Sequence, residues 1–175
     1  SCFIILTPLG AGPWGVHEIN RQTEAMLAEK GGADTAAEFY DHRPVLILEN
    51  DYSLGLFNGD TGVVLTDSTG NRRAFFKGPD GIRQFIPGLL PLHQTAFAMT
   101  VHKSQGSEFK DVLFVIPDRY IPVMTRELVY TAVTRAKQSV SIRGNREVLA
   151  EALGRQTVRS SGLTRLIRRE LFPSK

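Results

Sequence analysis

The string TVHKSQGSEF at residues 100–109 follows directly on the apolar run Ala96-Phe97-Ala98-Met99. In open α/β sheets ligand groups gather just beyond the carboxyl ends of strands, and this polar string takes that place. A helix starting near His102 is expected, and the free backbone amides of its first turn favour a phosphate. Lys103 and His102 add charge or hydrogen bonds to such an anion, and the hydroxyls of Thr100 and Ser104 can donate as well. Taken alone, the same residues also read as an ordinary solvated helix cap. A second candidate lies in LVYTAVTRAK at 128–137, where Leu128, Val129, Ala132, Val133 and Ala136 form one apolar stripe with Arg135 at its edge. The stem of Arg135 can pack while its guanidinium reaches across a cleft, although many such arginines only pair with a surface acid. Tyr130 either stacks on a base or fills core.

Several chemistries are missing from the sequence. A nucleotide-binding P-loop needs G-x-x-x-x-G-K-[ST], because glycine amides cradle the phosphates, the lysine reaches the terminal ones and the hydroxyl holds magnesium. The glycines at 10, 12 and 15 are not followed by lysine, and Gly59 to Gly62 leads into Val63 and Val64. No G-x-S-x-G elbow of a serine hydrolase occurs. Cys2 is alone, and His17, His42, His93 and His102 lack metal-ligand spacing, so neither a disulfide scaffold nor a zinc site is indicated and a reducing cytoplasm is expected. No apolar run approaches the roughly 20 residues that span a bilayer, and SCFIILTPLG lacks the basic flank of a signal peptide.

Positioning such residues requires a core, and 175 residues, 42% hydrophobic and 22% charged, suffice for one domain with an insertion. FIILT at 3–7 has the continuous apolar character of a strand covered on both faces. After the turn PLGAGPWG, Val16, Ile19, Thr23, Met26 and Leu27 recur at helical spacing, and Gly31 and Gly32 end that helix. RPVLILEN at 43–50 opens a different texture. Short β-like segments TGVVLT, RRAFFKG and IRQFIPG follow, separated by Asn58-Gly59-Asp60, Ser68-Thr69-Gly70-Asn71 and Pro79-Asp80-Gly81, which suggests a small SH3-like β-barrel over 43–93. Phe75, Phe76 and Lys77 within it could stack on bases or, as alternate aromatics in a small barrel, form its core. Strand and helix then alternate: TAFAMT, the helix near His102, DVLFVI, a helix at 125–137, SVSIRG and a helix at 145–153. Such alternation predicts an α/β fold, a parallel sheet flanked by helices, built from 1–42 and 94–175.

The strings at 100–109 and 128–137 together resemble the last two signature motifs of superfamily 1 DNA helicases. The surrounding chain, from Leu6 to about Leu153, resembles the C-terminal part of the RecD-like branch, the family of the alpha subunit of exodeoxyribonuclease V. TPLGAGPWGVHEIN at 7–20 resembles the segment that follows the first motor domain, with Asn20 at its end either packing or touching ligand. NDYSLGLFNGDTGVV at 50–64 resembles the start of an inserted SH3-like subdomain, Asn58-Gly59-Asp60 being its turn. The resemblance implies a RecA-like second motor domain of an ATP-dependent 5′ to 3′ helicase, whose ATP and Mg2+ are held mainly by an N-terminal motor domain upstream. It implies that Thr100, His102, Lys103 and Ser104 meet single-stranded DNA, and that Gln105, Gly106 and Glu108 face the nucleotide. Arg135 in V-x-T-R-A falls on the family's arginine finger, which neutralises charge developing on the γ-phosphate. Many superfamily 1 members that move 3′ to 5′ carry lysine where this chain, like the RecD-like branch, has Gln105, so that lysine's role does not transfer. The implied partners are the N-terminal motor domain and the beta and gamma subunits of exodeoxyribonuclease V, in double-strand break repair and recombination. A chain without a P-loop is expected to be inert as an ATPase alone. Competing readings are a stand-alone or relaxase-associated helicase, and a non-catalytic nucleic-acid or protein binding module.

Net charge is +3, yet residues 1–42 carry six acids against two bases, whereas 155–175 carry six bases against one acid. The basic end, with LTRLIRRELF read as a peripheral helix, is either a solvated helix or a surface for DNA or a partner.

Overall fold

The computed structural model describes residues 3–31 and 34–155. In chain order the elements are β1 (Phe3–Thr7), α1 (Val16–Glu29), β2 (Pro44–Ile47), β3 (Thr61–Thr66), β4 (Arg72–Gly78), β5 (Gly81–Phe85), a 3-10 turn (Pro87–Leu89), β6 (His93–Thr95), β7 (Ala98–Thr100), β8 (Phe109–Val115), α2 (Arg126–Val133), β9 (Ala136–Arg143) and α3 (Arg146–Gly154). The basic stretch LTRLIRRELF lies outside the described residues, as do Cys2 and Gly32.

The apolar run at 3–7 becomes β1, an inner strand of a parallel sheet with the order β7-β1-β8-β9. Alternate strand residues share a face. Ile4 and Leu6 therefore line up beside Val112 and Phe114, and on this face α2 brings Leu128, Val129 and Ala132 and α3 brings Val148 and Ala152 into one core. On the opposite face coverage is thinner, with Phe3 54% exposed and Ile5 half-buried, so β1 is sealed fully on one side only. The expected α/β architecture with a parallel sheet is what the chain forms.

Helix α1 runs where the apolar spacing predicts, ending before Gly31 at φ 66°. Its buried positions are Val16 and Asn20, while Met26 of the expected stripe faces solvent. Asn20 explains the difference. Its side-chain amide donates to the carbonyl of Thr95 at 2.8 Å and accepts the N–H of Ala98 at 2.8 Å, so the helix is held to the β6–β7 junction by a polar clamp. Packing, not ligand contact, accounts for this residue.

Between the parts of the parallel sheet stands a second, antiparallel sheet with the order β5-β4-β3-β2-β6. It has its own core of Val45, Ile47, Leu56, Val64, Ala74 and Phe76. Strand β2 serves both modules, because alternation sends Leu46 into the larger core and Val45 and Ile47 into the smaller one. The expected turns are present: Gly59 and Gly81 take φ 101° and 128°, and the Asp67 carboxylate accepts the N–H groups of Thr69 and Asn71 at 2.9 Å each. Among the described residues no ladder joins the end strands β5 and β6, so the pairing is that of an open sheet at this seam.

Two expected helices differ. Residues 101–106 form consecutive turns rather than a helix, since Gly106 at φ 83° and the short path to β8 leave no room for one. Helix α2 stops at Val133 instead of 137, because the N–H of Phe109 bonds the carbonyl of Arg135 at 2.8 Å and draws the next residues into the β8–β9 ladder.

Candidate nucleotide and nucleic-acid site

Thr100 is the last residue of β7 and lies opposite Thr7, the last residue of β1. Beyond it the chain folds on itself: the N–H of Ser104 bonds the carbonyl of Thr100 at 3.1 Å, that of Gln105 bonds the carbonyl of His102 at 3.2 Å, and that of Lys103 meets the Thr100 hydroxyl at 3.3 Å. These amides are spent inside the turns, so they are not the free helix-start donors that the sequence suggested for a phosphate. An anion here meets side chains instead. His102 and Lys103 are exposed and able to do so.

Ser104 is a different case. It is fully buried and its hydroxyl donates to the carbonyl of Val101 at 2.7 Å. Expected to touch a bound strand, it instead pins the turn from within.

From Ser104 the chain returns to Phe109, which opens β8 beside Ala136 at the start of β9. There the second group of candidates meets. The Arg135 guanidinium donates to the carbonyl of Ser107 at 3.2 Å, to that of Thr131 at 3.2 Å and to the hydroxyl of Thr134 at 3.4 Å. These acceptors are neutral, and among the described residues no carboxylate lies within ion-pair distance of the half-buried Arg135 guanidinium. Glu108 pairs with Lys137 at 2.9 Å. That hydrogen bond and the lysine charge, with a smaller contribution from Arg135, hold the Glu108 carboxyl below its ordinary range. Gln105 and Gly106 are exposed on the same segment.

The 100–108 segment thus carries Thr100, His102 and Lys103 toward one end and Gln105, Gly106 and Glu108 toward the other, where Arg135 of the α2–β9 turn joins it through the Ser107 carbonyl. A cleft of about 340 Å³ lies alongside it, lined by His102 and Gln105 on one wall and by Val123, Glu127 and Thr131 on the other. Among the described residues no group of His, Cys, Asp and Glu could hold a metal ion.

Other residues singled out by sequence fall elsewhere. Tyr130 is 70% exposed on α2, which removes the core-filling alternative. Phe76 is buried in the inserted sheet, Phe75 is half-buried and Lys77 is exposed, in keeping with core aromatics. Sequence reasoning missed Lys137 as partner of Glu108, and it missed Trp14, whose indole N–H donates to Asp118 at 3.1 Å. The second pair spans loops far apart in sequence, and no local pattern signals it.

A family model described as the UvrD-like helicase C-terminal domain matches residues 95–142. The RecBCD enzyme subunit RecD of Mycobacterium tuberculosis is 45% identical over 87% of this chain and 26% of its own length. The RecBCD enzyme subunit RecD of Haemophilus influenzae is 36% identical over 93% of this chain and 24% of its own. The ATP-dependent RecD2 DNA helicase of Deinococcus radiodurans is 33% identical over 94% of this chain and 23% of its own. The chain therefore spans about a quarter of the length of these relatives.

Proposed function

We propose that this chain, which corresponds to the C-terminal domain of RecD-like superfamily 1 helicases, is the second motor half of an ATP-dependent DNA helicase that moves 5′ to 3′. The observation that carries the reading is the hydrogen bond from Arg135 to the Ser107 carbonyl, which ties the V-x-T-R-A arginine to the Q-G-S-E segment. Gln105, Gly106, Glu108 and Arg135 are the residues of this chain that would face ATP and its Mg2+, both bound mainly by an N-terminal motor domain. Hydrolysis supplies the free energy for stepping. The chain's own part is electrostatic: Arg135 brings to the domain cleft a positive charge that no carboxylate of the described residues pairs with directly, and His102 and Lys103 meet the phosphates of single-stranded DNA beside Thr100. Because the segment that carries His102 and Lys103 also carries Glu108 and accepts the Arg135 hydrogen bond at Ser107, a shift of Arg135 on nucleotide binding would be passed toward the DNA end.

The names of the more similar relatives, RecBCD enzyme subunit RecD, support a RecD-like subunit of exodeoxyribonuclease V. On this reading we further propose that it works in the cytoplasm beside the beta and gamma subunits in double-strand break repair and recombination. The likeness to the Deinococcus radiodurans helicase supports a second reading, a helicase acting alone. Copurification of the full-length parent with two partner subunits selects the first. The inserted sheet we read as SH3-like, since its order β5-β4-β3-β2-β6 and the 3-10 turn before β6 suit a small barrel.

Polarity gives the direct test. Full-length parent supplied with ATP should unwind a duplex bearing a 5′ single-stranded tail and leave a 3′-tailed duplex intact. Unwinding from the 3′ tail alone contradicts the assigned direction, and unwinding of neither contradicts the motor.

A further inference from the structure

Trp14 is the single tryptophan of the chain, and it is 36% exposed on the loop that follows β1. That loop is tightly made. The Thr7 hydroxyl donates to the carbonyl of Trp14 at 2.5 Å, the N–H of Gly15 bonds the carbonyl of Gly12 at 2.9 Å, and that of Val16 bonds the carbonyl of Leu9 at 3.0 Å. A Cβ on Gly15 would stand 2.4 Å from the carbonyl carbon of Ala11, so only glycine permits this closure. The indole is fixed from a third side by Asp118, in the loop after β8, whose own carbonyl accepts from Asn145 at 3.2 Å.

This places an aromatic plane beside the strand-binding candidates. Thr7, which holds the Trp14 backbone, is the neighbour of Thr100 across the ladder and accepts the N–H of Val101 on its carbonyl at 3.0 Å. The loops after β1, β7 and β8 therefore meet at the carboxyl ends of these strands, with cationic Lys103 and partly exposed Trp14 in adjacent loops. An indole whose polar atom is already bonded, and about a third of whose surface a rigid loop leaves in water, is suited to stack on a flat apolar partner. Stacking on aromatic side chains beside a basic groove is how single strands are held without regard to sequence.

We infer that Trp14 is a base-stacking residue of the single-strand-binding edge, held edge-on by Asp118 so that a nucleobase lies on its exposed face while the adjoining phosphates meet His102 and Lys103. The inference rests on the proposed DNA contact of the Thr100–Lys103 turn and adds the part of the ligand that phosphate contacts do not read. It requires no base preference, because every base has a π-face.

The test separates base from backbone. Binding of a short oligothymidylate and of an abasic strand of equal length is measured on the full-length parent and on its Trp14→Ala, Trp14→Phe and Lys103→Ala variants. Trp14→Ala should weaken the oligothymidylate roughly 5- to 150-fold and barely change the abasic strand. Trp14→Phe, which keeps an aromatic plane, should stay close to the parent on both. Lys103→Ala should weaken both strands alike. If Trp14→Ala leaves both strands unchanged, or weakens both equally as a collapsed loop would, the stacking role is overturned. If Lys103→Ala changes neither strand, the phosphate-binding reading beneath it fails instead, so the two failures are told apart.

Discussion

Lys103 and Arg135 are both cations near a candidate ligand, yet their surroundings assign them different work. Lys103 stands in solvent with only its backbone N–H engaged, so it can act as a mobile point charge toward phosphate. Its replacement by alanine should weaken single-strand binding by the full-length parent and reduce the slope of log affinity against log salt by about 0.7, the share of one phosphate contact. An unchanged slope would show that Lys103 does not meet phosphate. Arg135 is instead fixed in orientation by three neutral acceptors, a setting that holds a charge in place for a ligand on the far side of a cleft. Sequence pointed to both residues because they sit in recognisable strings. It also pointed to Ser104 as a DNA contact, whereas its hydroxyl is buried against the Val101 carbonyl, because residue type cannot show which way a turn directs a side chain. Glu108 was singled out without its partner, since Lys137 enters from the neighbouring strand.

At the scale of elements, hydrophobic periodicity located α1, β1, β8 and α3 because each has an apolar pattern that only one structure buries well. It failed where a long-range bond overrode local preference. The residues after Val133 continue a helical pattern, but the bond from Phe109 to the Arg135 carbonyl makes them strand, which also places Arg135 in a fixed turn between α2 and β9. Residues 101–106 lack the length for a helix once β7 and β8 must both join β1. In α1 the decisive residue is polar. Asn20 satisfies the Thr95 carbonyl and the Ala98 N–H where the chain leaves the inserted sheet, and both groups lose their partner in Asn20→Ala. Chemical denaturation of that variant should show a loss of about 3 kcal/mol from stranding them. A loss below about 0.5 kcal/mol, typical of a surface change, would mean the clamp does not hold the junction.

The whole molecule is two cores that share one strand. β2 contributes Leu46 to the parallel-sheet core and Val45 and Ile47 to the core of the insert, and Glu24 of α1 accepts from Tyr40 at 2.9 Å and from Thr95 at 2.9 Å where the chain enters and leaves that insert. The insert is thus fastened to α1 at both of its connections. The division into an α/β body and a β-rich insertion was legible in the change from alternating strands and helices to closely spaced turns. The sharing of β2 was not, because the apolar run VLIL at 45–48 suggests burial on both faces without saying that the faces belong to different cores. The sequence carries no phosphate-binding loop, and in the proposed function the molecule is the second wall of an ATP site completed by another domain. The most direct test is DNA-stimulated ATP turnover by the full-length parent beside its Arg135→Ala variant, with ATP affinity measured separately. The account predicts that turnover falls by about 10³-fold or more while ATP still binds; turnover equal to that of the parent would contradict it.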